Sequence, residues 1–301
     1  MRLVRVRRLG GGPRQVARSF SRASDRTADF CDFSLAPGWD PARLGLLVVP
    51  NVVTAREHDA LVAEVEADET LRRRRFSDGH WDAVITGYRE TQLPLSTSSA
   101  LLRSVATRVQ AHFGPGAGSP MSHVHALELS PTGRIDAHVD SIKFSGGVVA
   151  VVSLCSDAVL VLRHAPSGDG GAPVAAADAA TVSVLAPAQS LYVLRGESRY
   201  RWSHAIAAGA TTLSLPASHA SSGGVRVEVR RGRRISLVFR DELLPEAEQQ
   251  QSMGQGLAAQ AGYGGAHDAG GEKLVTRDGG DPLPSGMRRG RLSEDGSLEE
   301  F

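Results

Sequence analysis

Only two of the 301 residues are cysteine, Cys31 and Cys155. That excludes a disulfide framework and a thiolate metal site. No run approaches the roughly 20 apolar residues a helix needs to cross a bilayer, so no transmembrane span is expected. Aromatic side chains make up 5% of the chain. A protein that extrudes a nucleobase and stacks on it needs such residues, and ahead of residue 123 the chain offers chiefly Trp81 and Tyr88, both better suited to core packing. Net charge is also small, at +1, and unevenly spread. Residues 1–24 carry seven arginines and no acid, and residues 241–301 carry twelve acidic and five basic side chains. The middle is nearly neutral, which argues against strong non-specific phosphate binding.

The two ends read differently from the middle. In residues 1–24, Leu3, Val4, Val6, Leu9, Val16 and Phe20 interleave with the arginines. This cationic, amphipathic composition is that of a mitochondrial transit peptide, removed near Ser21 after Arg18-Ser19-Phe20. The plainer alternative is a basic arm that binds nucleic acid. Residues 25–43 lack pattern and are expected to be a poorly ordered linker. Residues 243–301 are rich in Gly and Gln and poor in large apolar side chains. Such a segment buries too little surface to offset its ordering entropy, so a disordered acidic tail is expected. The folded domain then spans 44–242.

Within it the periodicity changes once. Residues 44–53 suggest a strand. Thr54 and Glu57 fit a capping box, opening a helix to about Glu69. Leu101, Val105, Val109 and Phe113 recur every four residues and predict a helix over 98–112. Beyond Gly114 the apolar pattern shortens to strands over 123–129, 133–138, 147–155, 158–164, 181–185, 189–194, 200–206, 225–229 and 234–240. Two helices followed by eight or nine short strands predict an α+β fold, a double-stranded β-helix (jelly-roll) core with N-terminal helices packed on one sheet.

The chemistry concentrates in an ordered set. His138 and Asp140 stand two apart at a strand end, so both can reach one ion. His204 lies in a later strand with bulky neighbours. Two imidazoles and one carboxylate form the facial triad that holds non-heme Fe(II) with open positions. A second triplet, His80-Trp81-Asp82, falls in loop-like sequence and is expected to be structural. In 234–240, Arg234, Ser236 and Arg240 share one face, with Ile235, Val238 and Phe239 supplying apolar bulk. An arginine offers a planar fork for a carboxylate, which suits the distal carboxylate of 2-oxoglutarate, with Tyr192 either an added hydroxyl donor or a core tyrosine whose OH is satisfied elsewhere. His123 and His125 share a face but are not expected to bind a second metal. The run Arg72 to Arg75 could contact RNA phosphates, but reads more readily as a solvated helix end near a C-terminal dipole, with Asp78, Asp82 and Glu90 close enough in sequence to neutralise it.

These residues carry a resemblance. The strings Leu71-Arg72-Arg73-Arg74-Arg75-Phe76, His80-Trp81-Asp82, Gly87-Tyr88-Arg89-Glu90-Thr91 and His138-Val139-Asp140-Ser141-Ile142-Lys143-Phe144 stand in order. They are followed by Leu191-Tyr192-Val193-Leu194-Arg195-Gly196, Ser203-His204 and Arg233-Arg234-Ile235-Ser236. Over roughly 45–242 the chain resembles the AlkB family of Fe(II)/2-oxoglutarate dioxygenases, in particular its mitochondrial branch. The resemblance implies Fe(II), 2-oxoglutarate and O2 as cofactor and cosubstrates. It makes His138, Asp140 and His204 catalytic iron ligands, and places Tyr192, Arg234, Ser236 and Arg240 around 2-oxoglutarate. It also implies a mitochondrial matrix location, demethylation of RNA bases, and roles in fatty-acid metabolism and programmed necrosis. The chain departs from the family at Arg134, where a tyrosine is expected, and over 207–232, which looks longer than the family loop. Two other functions fit the residues: a protein hydroxylase or demethylase, and a non-enzymatic scaffold that binds iron and 2-oxoglutarate.

Overall fold

The computed structural model describes residues 23–78, 84–142, 145–164, 179–216, 225–243, 290–292 and 298–300. The expected transit peptide, up to residue 22, lies outside them, as do His80-Trp81-Asp82 and most of the expected acidic tail. Two compact units separate near residue 262. In the second, Gly290–Leu292 pairs antiparallel with Leu298–Glu300.

The first unit begins earlier than expected. Residues 25–43 are not a loose linker. A 3-10 helix, Ala23–Phe30, leads into β1 (Cys31–Leu35) and a one-turn helix α1 (Pro41–Leu44). Thr27 is fully buried and its hydroxyl accepts from the Val48 amide; Cys31 is a core residue. Single buried contacts anchor this stretch, and they leave no periodic trace. The strand expected over 44–53 shrinks to β2 (Leu46–Val49), because Gly45 in a left-handed conformation ends α1 just before it.

Next come α2 (Ala55–Ala67), α3 (Glu69–Arg73), β3 (Ile85–Pro94) and α4 (Ala100–Gln110). The Thr54–Glu57 capping box is present in both directions, at 2.7 and 3.2 Å. Asp68 stops α2 and caps α3 by accepting from the Leu71 amide. The remaining strands are β4 (His123–His138), β5 (Val149–Leu154), β6 (Ala158–His164), β7 (Thr181–Ala186) and β8 (Leu191–Leu194). A one-turn helix α5 (Glu197–Tyr200) precedes β9 (Trp202–Ile206), so the strand expected from residue 200 starts two residues later. Then follow β10 (Ala210–Leu215), β11 (Val225–Arg230) and β12 (Arg234–Arg240). β10 and β11 pair as a hairpin, so the unusual 207–232 stretch holds regular structure.

The large sheet is antiparallel throughout, in the order β1-β7-β6-β9-β4-β12-β5-β8-β2, with β3 beside β4. Its hinge is β4, a single 16-residue strand where two were expected. Its first part pairs with β12 and its last part with β9, while β3 runs along both. The register slips at Gly87 on β3, facing Gly133 on β4. A Cβ on Gly133 would sit 2.4 Å from the Gly87 carbonyl oxygen, and Gly87 itself has φ +62°. Only glycine permits that approach and that backbone angle. The bulge bends the ribbon, so that the β9 side faces the β5–β8–β12 side.

Two large apolar clusters result, besides a small one of Val159, Leu213 and Val229. One lies inside the curl, with Ile85, Leu127, Leu160, Leu162, Trp202 and Ile206. The other lies between the sheet and the helices, where Leu61, Val65, Leu102, Val105 and Val109 meet Val152, Val193, Leu237 and Phe239. The helices therefore cover one sheet of a jelly roll, as the sequence pattern predicted. Burying each such side chain contributes about 1.5–3 kcal/mol relative to exposure.

Candidate active site

Inside the curl is a cavity of about 1030 Å³. His138, the last residue of β4, is opposite His204 on β9 in the strand register. Asp140 follows two residues later, past the strand end. His138 Nε2 lies 3.2 Å and His204 Nε2 3.4 Å from the same oxygen, Asp140 Oδ1. The two imidazoles are 4.3 Å apart between centroids. One ligand atom from each of the three residues falls within 4.8 Å of the others. The bulge in β4 thus brings together side chains 64 residues apart. Alternation does not continue past His138, however. Val139, which strand alternation would turn to the opposite face, also lines the cavity, because regular strand geometry ends at residue 138.

The local electrostatics suit a cation. Burial alone would raise the Asp140 pKa. Hydrogen bonds with His138 and His204 and the charge of Arg240 outweigh it and hold the carboxyl well below its usual range. Burial lowers His204, with Asp140 opposing, which favours the neutral, ligating imidazole. His138 Nδ1 lies 3.0 Å from the Asp136 carbonyl oxygen. With a metal bound, a proton kept on Nδ1 and donated there leaves Nε2 its lone pair in place of the hydrogen bond to Asp140; this is the usual second contact of a metal-binding histidine. Two nitrogens and one carboxylate oxygen are the donor set of a non-heme Fe(II) site.

The arginines of β12 divide. Arg240 donates from Nη2 and Nε to Asp140 Oδ2 at 2.9 and 3.3 Å. It therefore holds the carboxylate oxygen that the histidines leave. Arg234 is 1% exposed and lies deeper. Its Nη1 donates to Ser236 Oγ and its Nη2 to Ser153 Oγ, the latter at 2.8 Å. Among the described residues no carboxylate pairs with it, and its Nε has no partner. A buried cation left this way is costly, and a small carboxylate would satisfy it. Tyr192 lines the same end. Burial pushes its phenol up, with Arg234 opposing, so it stays a neutral hydroxyl. Val238 is also on this face, not on the apolar one: the helix-facing residues are Ile235, Leu237 and Phe239.

His123 and His125 line the cavity mouth, and His125 Nε2 is 2.9 Å from Glu90 Oε2. They form no metal cluster among the described residues. The Arg72–Arg75 run is a solvated helix end, with Arg73 bound to Glu69, except that Arg74 reaches the Glu90 carbonyl at the mouth. Arg134 makes an exposed pair with Asp136. Sequence reasoning missed Ser153, Arg199 and Asp241. Asp241 is fully buried and accepts from the Gly118, Gly147 and Val148 amides. Its signal was its place directly after Arg240 on a buried strand.

A jelly roll whose interior offers this donor set beside an unpaired buried guanidinium defines an Fe(II)- and 2-oxoglutarate-dependent dioxygenase. Relatives narrow the class. The chain is 39% identical over 201 residues to the bovine (Bos taurus) mitochondrial alpha-ketoglutarate-dependent dioxygenase alkB homolog 7, covering 66% of this chain and 79% of that protein. It is 39% identical over 215 residues to the mouse (Mus musculus) protein of the same name, covering 69% and 85%. The chain belongs to the alkB homolog 7 family of alpha-ketoglutarate-dependent dioxygenases. Both relatives are mitochondrial by name, which places the family in the mitochondrion. No protein-family model matches the chain. Among solved structures, a Pseudomonas putida prolyl-4-hydroxylase aligns with 68% of this chain and 96% of its own at TM-score 0.42 and 15% identity.

Proposed function

We propose that His138, Asp140 and His204 hold the catalytic iron, with Arg234 receiving the distal carboxylate of 2-oxoglutarate. The observation that carries this reading is the unpartnered Nε of a fully buried guanidinium, in the cavity that the three ligand residues line. Ser236, Ser153 and Tyr192 surround that end, and Arg240 orients Asp140 through its outer oxygen. When bound, the iron supplies O2-dependent oxidation of a C–H bond, coupled to decarboxylation of 2-oxoglutarate to succinate and CO2. The chain's own residues orient the cosubstrate, exclude water with Val149, Val151, Leu194 and Ile206, and keep Asp140 ionised. On an N-methyl group the hydroxylated product loses formaldehyde. The matrix is the compartment in which we place this reaction.

Family likeness implies methylated mitochondrial RNA bases as substrate, along with the roles in fatty-acid metabolism and programmed necrosis. One observation favours a protein substrate, hydroxylated or demethylated, instead. Tyr192 is the one Phe, Tyr or Trp among the described lining residues, and the apolar part of the wall is otherwise Val, Ile, Leu and Met. An extruded base is normally held by stacking. An aliphatic wall accepts an alkyl side chain without it.

The test incubates the purified protein with Fe(II), 2-oxoglutarate and O2, alone, with methylated mitochondrial RNA, and with mitochondrial protein extract. Formaldehyde released with RNA alone supports the RNA reading. A 16 Da gain on a protein, or a 14 Da loss with formaldehyde released, supports the second. Cosubstrate binding with no succinate in any arm replaces both with the scaffold.

A further inference from the structure

Asp140 occupies an awkward position. It lies beyond the end of β4, and strand pairing does not resume until Val149. No sheet ladder fixes the backbone that aims its carboxylate. Arg240 holds one carboxylate oxygen, but a side chain can be gripped while its main chain drifts.

A single guanidinium gathers that backbone. Arg199, on α5, donates from Nη1 to the Asp140 carbonyl at 2.8 Å and from Nη2 to the Ser141 carbonyl at 3.3 Å. Its Nη2 also reaches the Ser145 carbonyl at 3.4 Å and Ser145 Oγ at 3.0 Å, and its Nε donates to the Gly146 carbonyl at 3.1 Å. The side chain is 2% exposed. No salt bridge neutralises it among the described residues; its acceptors are carbonyl and hydroxyl oxygens. Burying an arginine this way is a poor route to stability, because a carbonyl returns less of the desolvation cost than a carboxylate would. Position is the other thing the arrangement supplies. Five residues after Arg199 comes His204, with α5 leading directly into β9. Arg199 therefore ties the segment carrying Asp140 to the segment carrying His204.

We infer that Arg199 is a positioning residue for the metal site, fixing Asp140 relative to His204 by holding the carbonyls of 140, 141, 145 and 146 around one guanidinium. The inference rests on the ligand set proposed above. A lysine keeps the charge but cannot reproduce the five-donor fork. Methionine keeps much of the volume and none of the donors.

The experiment titrates metal-free full-length protein with Co(II), following its visible absorption bands, with no turnover involved. Wild type, Arg199→Lys, Arg199→Met and Arg108→Lys are compared, each with its melting temperature. Arg108 is the control: an arginine of α4 that donates to the Val52 carbonyl and the Glu57 carboxylate, none of the three lining the cavity. Both Arg199 variants are expected to weaken Co(II) binding about 10-fold or more, the usual effect of losing a ligand's supporting contact, with altered band positions. The control is expected to lose melting temperature while keeping affinity and spectrum. If Arg199→Met does not fold, Arg199→Lys decides. Arg199 variants that bind Co(II) like wild type, or weaken no more than Arg108→Lys, overturn the inference and leave the metal centre standing. Wild-type protein that takes up no Co(II) overturns both.

Discussion

Ile235, Leu237 and Phe239 close one face of β12 against the helix layer, while Arg234, Ser236 and Arg240 line the cavity on the other. The first face is dry and needs no hydrogen bonds from its side chains. The second carries two cations, one gripping Asp140 and one with a donor unspent. A seven-residue strand thus divides its labour by parity. A one-residue slip would exchange the faces, and pairing with both β4 and β5 forbids it. Such a division predicts that fold and chemistry can be damaged separately.

The largest effect is expected opposite the cavity face of β12. His138→Ala should abolish stoichiometric iron, measured by elemental analysis after anaerobic loading. One full equivalent retained would remove His138 from the ligand set. On the dry face, Leu237→Ala should cost about 2–5 kcal/mol in denaturant unfolding, with 2-oxoglutarate affinity of the folded protein unchanged. On the wet face, Arg234→Met should weaken 2-oxoglutarate binding by about 2–5 kcal/mol in calorimetry, the usual cost of stranding a buried carboxylate. Its ligand-free melting temperature should hold or rise, since an unpaired buried charge is gone. A fall as large as that of Leu237→Ala would erase the distinction between the faces.

The smallest effect is remote from both. Glu57 is held at about 2 against an ordinary 4.5, chiefly by its hydrogen bonds with Arg108 and then by the Thr54 amide. A depressed carboxyl stabilises the fold above its ordinary value and loses that contribution as pH falls from about 4.5 toward 2. Glu57→Gln should therefore lower the urea midpoint slightly at pH 7, by no more than about 1 kcal/mol for a pair this near solvent. The gap should narrow with acidification below pH 4.5. A gap that stays constant from pH 7 to pH 3 would show that capping geometry, not charge, does the holding.

Legibility followed the same division. Residues whose chemistry is set by spacing could be read directly: His138 and Asp140 two apart, the alternation of β12, the Thr54–Glu57 box. Val238 was misplaced only because its apolar character was given more weight than its parity. What stayed hidden depends on contacts distant in sequence. β3 was obscured by Gly87, whose bulge breaks the alternation of Ile85-Thr86-Gly87-Tyr88. β4 was split at Pro131-Thr132-Gly133, residues that normally announce a turn. Arg199 looks like a surface cation until the carbonyls it collects are seen, as does Arg231, which donates to the carbonyls of Ser130, Pro131, Gly133 and Ala207. Asp241 was counted among the acids of the C-terminal stretch. Residues 25–43 are held by isolated burials such as Thr27, which no period reveals.

The Gly87–Gly133 contact has a genetic consequence. Neither residue touches a reactant, yet an alanine at either would force two main chains apart at the crease of the curl. The protein would still assemble its helices and most of its strands, but the imidazoles would no longer converge. In a mutational survey such a lesion would present as a metal-loading defect in a well-expressed polypeptide, and its distance from the iron would mislead anyone ranking variants by proximity.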